Sequence, residues 1–201
     1  MTRIRSGALA GLVLIASLLA ACGSSDSGSS GGKGSATDRA FVSQMVPHHK
    51  SAIEMAKIAQ QRGQSRFVKT LADSIVGTQK SEIASMQGAD QKLASAGVKV
   101  GDLGVSMSAM GMDMNTSMLK TARPFDRAFI DMMVPHHQGA VRMARIELAK
   151  GQDAKLKSVA HGIIAGQSKE IGEMNAHRKM AFGAPSPAGG VPAEGKMAMQ
   201  H

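Results

Sequence analysis

Apolar and polar residues alternate with the period of an α-helix along four stretches of this chain. They run roughly from Asp38 to Gln61, Ser65 to Ala96, Arg123 to Ala149 and Asp153 to Met180. In each stretch the apolar positions gather on one side, so each helix needs a neighbour to cover that side. Gly63 and Gln64 interrupt the first pair, so the chain turns there and its two helices fold back as a hairpin. Pro47 falls inside the first stretch, where its missing N–H and its ring predict a kink or a restart. Two such hairpins predict an all-α fold, a four-helix bundle. The helical domain is expected over residues 37–182, with a linker at about 97–122 and a flexible tail at 183–201.

The two hairpins are copies of one another. At an offset of 88 residues, Asp38-Arg-Ala-Phe-Val-Ser-Gln-Met-Val-Pro-His-His49 matches Asp126-Arg-Ala-Phe-Ile-Asp-Met-Met-Val-Pro-His-His137 without gaps. The match continues through Met55/Met143, Gly63/Gly151, Gln79/Gln167, Glu82/Glu170 and Met86/Met174. Of the 50 positions in residues 38–87, 22 are identical to their counterparts in 126–175, which marks an internal duplication. The copies are expected over about 38–96 and 123–180.

Placed at about 100° per residue, Phe41, Met45, His48, His49 and Met55 share one arc of the first helix. In the second helix Gln79 and Glu82 fall on the same arc as Ile75, Ile83 and Met86. The duplicate repeats this with His136, His137, Gln167, Glu170 and Met174. Burying such polar groups is unfavourable unless something satisfies them. Two readings stand at this point. One is a hydrogen-bonded core cluster in which Glu82 pairs with a histidine across the hairpin. The other is a metal site, with histidine nitrogens and methionine sulfurs as ligands and the glutamates orienting a histidine or binding directly.

Composition sharpens the second reading. The chain has 16 Met and no Trp or Tyr, so methionine fills space that other large side chains usually take. Five of them, Met107, Met110, Met112, Met114 and Met118, crowd the linker among Gly, Ser, Asp and Asn. Surroundings that polar predict exposed sulfurs, and thioethers are soft, neutral ligands suited to copper(I) or silver(I). Met197, Met199 and His201 add a second such cluster in the tail. A low-complexity linker that happens to be rich in methionine is the competing account.

The N-terminus gives an address. Arg3 and Arg5 precede an apolar run from Ala8 to Ala20, too short to span a bilayer as a mature helix. With Leu19-Ala20-Ala21-Cys22 at its end, residues 1–21 read as a signal peptide closing in a lipobox, and Cys22 as the lipidated residue. Plain secretion with an incidental Cys22 is the alternative. Residues 22–36 are then the lipidated cysteine and a Gly/Ser tether, anchoring the protein to the bacterial cell membrane on its extracytoplasmic side. Cys22 is the only cysteine, which excludes an intramolecular disulfide. The formal charge of +9 falls to +7 without residues 1–21 and suits an anionic envelope surface. Nucleic acid is not expected as a partner, because the basic residues are dispersed and no aromatics interleave with them.

The doubled Met-Val-Pro-His-His, each followed by Ala and Met and then by Gln-x-x-Glu-Ile-x-x-Met, resembles the domain of unknown function 305 family over residues 38–180. The resemblance implies a ferritin-like four-helix bundle, an extracytoplasmic location and, from some members, copper binding through Met and His. Carried onto this chain, it points to Met45, His48, His49, Met55 and Met86 as ligands. In the second copy it points to Met133, His136, His137, Met143 and Met174. The family pattern sets an aromatic residue three places after the last Met. Ala89 and His177 stand there in this chain, so packing is expected to differ and His177 becomes an extra candidate ligand.

Three functions are weighed on these residues. The leading one is a metal-binding lipoprotein that sequesters copper(I), or silver, or exchanges it with a copper-donor or acceptor protein. A non-metal envelope module is the second. A ferritin-like di-iron oxidase is the third, and iron is disfavoured because no Glu-x-x-His occurs and Glu54 is matched by Arg142. No complete catalytic constellation is present, so no enzyme activity is expected.

Overall fold

A computed structural model describes residues 34–194. The expected signal peptide, Cys22, nearly all of the tether, and Met197, Met199 and His201 lie outside the described residues. Helix α1 spans Ala36–Arg62, α2 Arg66–Ser95, α3 Phe125–Lys150 and α4 Ala154–Phe182, and a short 3-10 helix covers Thr116–Lys120. Among the described residues there is no strand, and no helix is long and apolar enough to cross a membrane. The all-α bundle of two hairpins expected from the pattern is what forms.

Local signals start and stop these helices. Ser35 and Asp38 form a reciprocal capping box at the start of α1. Ser65 caps α2 through the Val68 N–H, and Asp153 caps α4 through the Leu156 N–H. Neither Pro47 nor Pro135 restarts its helix, since α1 and α3 run unbroken through them. Both prolines sit between buried Val and His residues, and packing on that face holds the helix across the lost hydrogen bond.

The duplication also ties the hairpins together at their ends. Asp126, near the start of α3, accepts hydrogen bonds from the Gln64 and Ser65 N–H groups at 2.8 and 2.7 Å. Its counterpart Asp38 accepts from Gln152 and Asp153 at 2.9 and 2.8 Å. Each copy therefore pins the turn of the other, satisfying buried N–H groups that the turn leaves over. α1 packs most extensively on α2 and α3 on α4, α1 and α3 meet across the middle, and α2 and α4 meet more sparsely.

The core divides into two buried clusters related by the duplication. One holds Met45, Met86 and Met143 with Phe41 and Ile163, and the other holds Met133, Met174 and Met55 with Phe129 and Ile75. Each thus takes two methionines from one copy and a third from the other. Residues 184–193, expected to trail freely, are strapped to the bundle instead. Gln138 donates to the carbonyls of Ala188 and Gly190, Arg145 to those of Pro192 and Ala193, and Arg178 to those of Ala184 and Pro185.

Candidate metal centre

The His pairs lie side by side on neighbouring turns of α1 and α3, where those helices meet at the centre of the bundle. All four rings are buried, at 1% exposure or less. The His48 and His136 rings touch across the centre with centroids 3.7 Å apart. His49 reaches outward to α2, where its Nε2 lies 2.8 Å from Glu82 Oε2. His137 does the same on α4, with Nε2 2.7 Å from Glu170 Oε2.

These bonds fix what each ring can offer. A carboxylate and a carbonyl only accept, so Nε2 of His49 and His137 carries the proton and donates to Glu82 and Glu170. His48 likewise donates from Nε2 to the Met110 carbonyl at 2.9 Å. In the neutral form of each of these three rings Nδ1 is a bare lone pair, and it is buried with no hydrogen-bond partner. His136 has no partner on either nitrogen. Burial, followed by the neighbouring histidines, holds His136 well below the ordinary imidazole range. Burial, then His49, pushes His48 down to about 3. Both central rings are neutral at neutral pH, the form in which an imidazole binds a metal.

Sulfur completes the set. Met45, Met55, Met86, Met133, Met143 and Met174 are all buried, at 1% exposure or less. Among the described residues no group of three or more His, Cys, Asp or Glu side chains converges as metal ligands do. The other soft atoms buried in this core are the thioether sulfurs of those methionines. The donor set of neutral imidazole and thioether, with each outer His oriented by a carboxylate, fits a soft ion.

The linker departs from its expected role. Met107 and Met118 are exposed, at 55% and 64%. Met110 is buried and joins the cluster of Met45, Met86 and Met143, with Met112 packed against it. Polar neighbours along the chain did not keep Met110 out of the core, because two glycines let the linker close on α3. A Cβ on Gly139 would lie 2.0 Å from the Met110 carbonyl oxygen, and one on Gly111, at φ +68°, would lie 2.5 Å from that of Pro135. The approach is one-sided, since Gly139 is matched by Ser51 in the first copy. His48 gains a carbonyl partner from it and His136 has none.

His177 is likewise not part of the cluster. Its ring stacks on Phe67 of α2 at 4.4 Å between centroids. Ala89, the other departure from the family pattern, is buried in the core beside Met86.

Glu147 escaped the sequence reading. It occupies the place of Ala59 in the first copy and is fully buried with neither oxygen at hydrogen-bonding geometry. Burial, then the Asp38 carboxyl beside it, raises it to about 8. Asp38 keeps the charge of the pair. Burial pushes Asp38 up, but hydrogen bonds from Ser35 and from the Asp153 and Gln152 N–H groups, with the protonated Glu147 carboxyl close by, outweigh this and hold it below the ordinary carboxylate range. An acid replacing an alanine on an apolar helical face is the signal that comparing the two copies offers.

The family model for the domain of unknown function (DUF305) matches residues 38–178, the span that holds both histidine pairs and the methionines around them. The chain belongs to this family. Among solved structures, CopM in the Cu(I)-bound form is 33% identical, with 72% of this chain and 97% of that one covered at a TM-score of 0.62. The DUF305 secreted protein from Streptomyces coelicolor is 27% identical over 76% of this chain and 96% of that one, at a TM-score of 0.64. Uncharacterized protein L153 of Acanthamoeba polyphaga mimivirus is 36% identical over 50 residues, 25% of this chain. The chain spans only 33% of that relative's length. CopM has also been solved in Cu(II)-bound and Ag-bound forms, at 32% identity to this DUF305 chain.

Proposed function

We propose that this DUF305 protein binds copper(I), and silver(I) in its place, in its methionine–histidine core. It does so outside the cytoplasmic membrane, as a lipoprotein held by acylated Cys22, to sequester the ion or exchange it with a donor or acceptor protein. The observation that carries the reading is the set of buried, unpartnered ring nitrogens in a core whose remaining soft atoms are thioethers. A buried acceptor without a partner is unfavourable by about 1–3 kcal/mol, which a bound cation would remove. CopM, with its copper and silver forms at about a third identity, supports the same chemistry.

The two core clusters imply two binding positions related by the duplication. Met45, Met86 and Met143 would serve one and Met133, Met174 and Met55 the other, with the four histidines between them. Thioether and imidazole are neutral, so the positive charge of the ion stays uncompensated within the ligand set. Glu82 and Glu170 answer it through His49 and His137, placing negative charge one ring away without competing as hard ligands. The exposed Met107 and Met118 offer the ion a place to pause in exchange with another protein.

Thermal unfolding with added silver(I) tests the proposal. Binding to the folded state alone stabilises it by mass action, by about 2.7 kcal/mol at a free-ion concentration of 100 Kd. The melting temperature should rise and level off as two equivalents are added. A melting temperature that stays put with silver(I) and copper(I) in excess contradicts it.

A further inference from the structure

The weak contact between α2 and α4 leaves a groove of about 630 Å³ along the bundle. Its rims are small residues, Ser74 and Thr78 on α2 and Gly162 and Gly166 on α4. The glycines are not there for close packing, because a Cβ on either would meet nothing within 4 Å. Each weakens the helix by about 1 kcal/mol relative to alanine, with no contact in return. What they do is keep the groove wide.

The floor carries the second observation. Gln79 and Gln167 line the groove at only 2% and 4% exposure. Oε1 of Gln79 and both amide atoms of Gln167 have no hydrogen-bond partner. One turn further along each helix, Glu82 and Glu170 also line the groove, and each is bonded to a core histidine. The wall bears Glu82, Glu170 and Glu173 against Arg66 and Lys169, an acidic excess in a chain of formal charge +9. The groove thus joins solvent to the outer side of the His49 and His137 pairs.

We propose that this α2–α4 groove is the route by which a soft metal cation reaches and leaves the core. The idea rests on the metal-binding reading above and adds the path. Glu82 and Glu170 draw the ion in by charge, the amides of Gln79 and Gln167 replace its departing water, and the unpartnered Nδ1 atoms of His49 and His137 receive it.

The test is the rate of copper(I) transfer from a coloured bicinchoninate complex to the full-length protein, followed by loss of the complex's absorbance. Gly162→Leu and Gly166→Leu, alone and together, fill the groove from Cβ positions that have open space around them. Both raise helix propensity, so folding is expected to survive, and circular dichroism checks it. Gly172→Leu is the control, on the same helix with open space around it but off the groove. The groove variants should load more slowly by about tenfold or more and reach the same end point, while Gly172→Leu loads like the parent. Unchanged rates in the doubly filled variant would overturn the route and leave the binding proposal standing. A lost end point in a folded groove variant would also overturn it, by making those positions part of the site itself. If the parent takes no copper from the chelator, the binding proposal fails, and the route with it.

Discussion

A chain carrying Met45→Leu, Met86→Leu and Met143→Leu should bind copper(I) at one position where the parent binds at two. The three thioethers sit together in one buried cluster, and their counterparts Met133, Met174 and Met55 remain intact in the other. Leucine fills nearly the same volume, so each swap changes stability by less than about 1.5 kcal/mol and the bundle should fold. What leucine removes is the sulfur lone pair. Loss of groups that merely orient ligands weakens metal binding by about 10–100-fold, so losing the sulfurs should lower affinity at that position by at least about 100-fold. Titration against a competing chelator resolves the two steps. Two unchanged binding steps in the triple variant would show that these methionines are packing alone. The matching variant, Met55→Leu with Met133→Leu and Met174→Leu, should remove the other step.

The second large effect concerns pH and the buried acid. Glu147 has its folded pKa raised from 4.5 to about 8, so the folded state keeps a proton that the unfolded chain gives up. Its contribution to stability is fully present below pH 4.5 and is lost as pH rises towards 8, at about 1.4 kcal/mol per unit. His48 acts in the other direction. Its folded pKa falls from 6.5 to about 3, so below pH 6.5 the unfolded chain takes up a proton that the folded state refuses. Stability therefore drops as pH falls from 6.5, and His136, displaced the same way, steepens the drop. Two histidines outweigh one glutamate below pH 6.5, and the glutamate acts alone above it. The metal-free protein should be most stable near pH 6.5 and weaken on both sides. Glu147→Gln keeps the shape without the titration, so its stability should stay level between pH 6.5 and 8, where the parent falls by roughly 2 kcal/mol. Urea unfolding across pH 4 to 9 measures both curves. An alkaline decline that persists in Glu147→Gln would assign the effect to another group.

Much of this was legible before any coordinates. Four amphipathic stretches and a gapless duplication specify two hairpins, because helical period and Gly63-Gln64 punctuation are local properties of the chain. The shared arc of His48, His49, Gln79 and Glu82 also foretold that polar groups would meet inside. Indeed the two readings of that arc were not exclusive. Glu82 does pair with His49 across the hairpin, and the pairing is what leaves Nδ1 free.

What escaped the sequence depends on contacts between distant segments. Nothing around Met110 says that its carbonyl meets His48, since that contact requires Gly111 and Gly139 to bring the linker against α3. The ends of the bundle were hidden for the same reason. Asp38 and Asp126 were visible as the first matched residues of each copy, yet a repeat comparison cannot show that each caps the other copy's turn. Glu147 is hidden from a comparison of matched positions, because its effect comes from a place where the two copies differ. The separation of the methionines into two mixed clusters likewise depends on how α1 crosses α3, which periodicity does not contain.

The most direct test of the central claim is X-ray absorption at the copper edge of the protein loaded with two equivalents of copper(I). A core of buried thioethers and bare Nδ1 lone pairs predicts sulfur and imidazole nitrogen together in the first coordination shell. In the triple Met45, Met86 and Met143 variant loaded with one equivalent, the sulfur shell per copper should be unchanged, because only the intact position is filled. A shell of oxygen and nitrogen without sulfur would contradict the account.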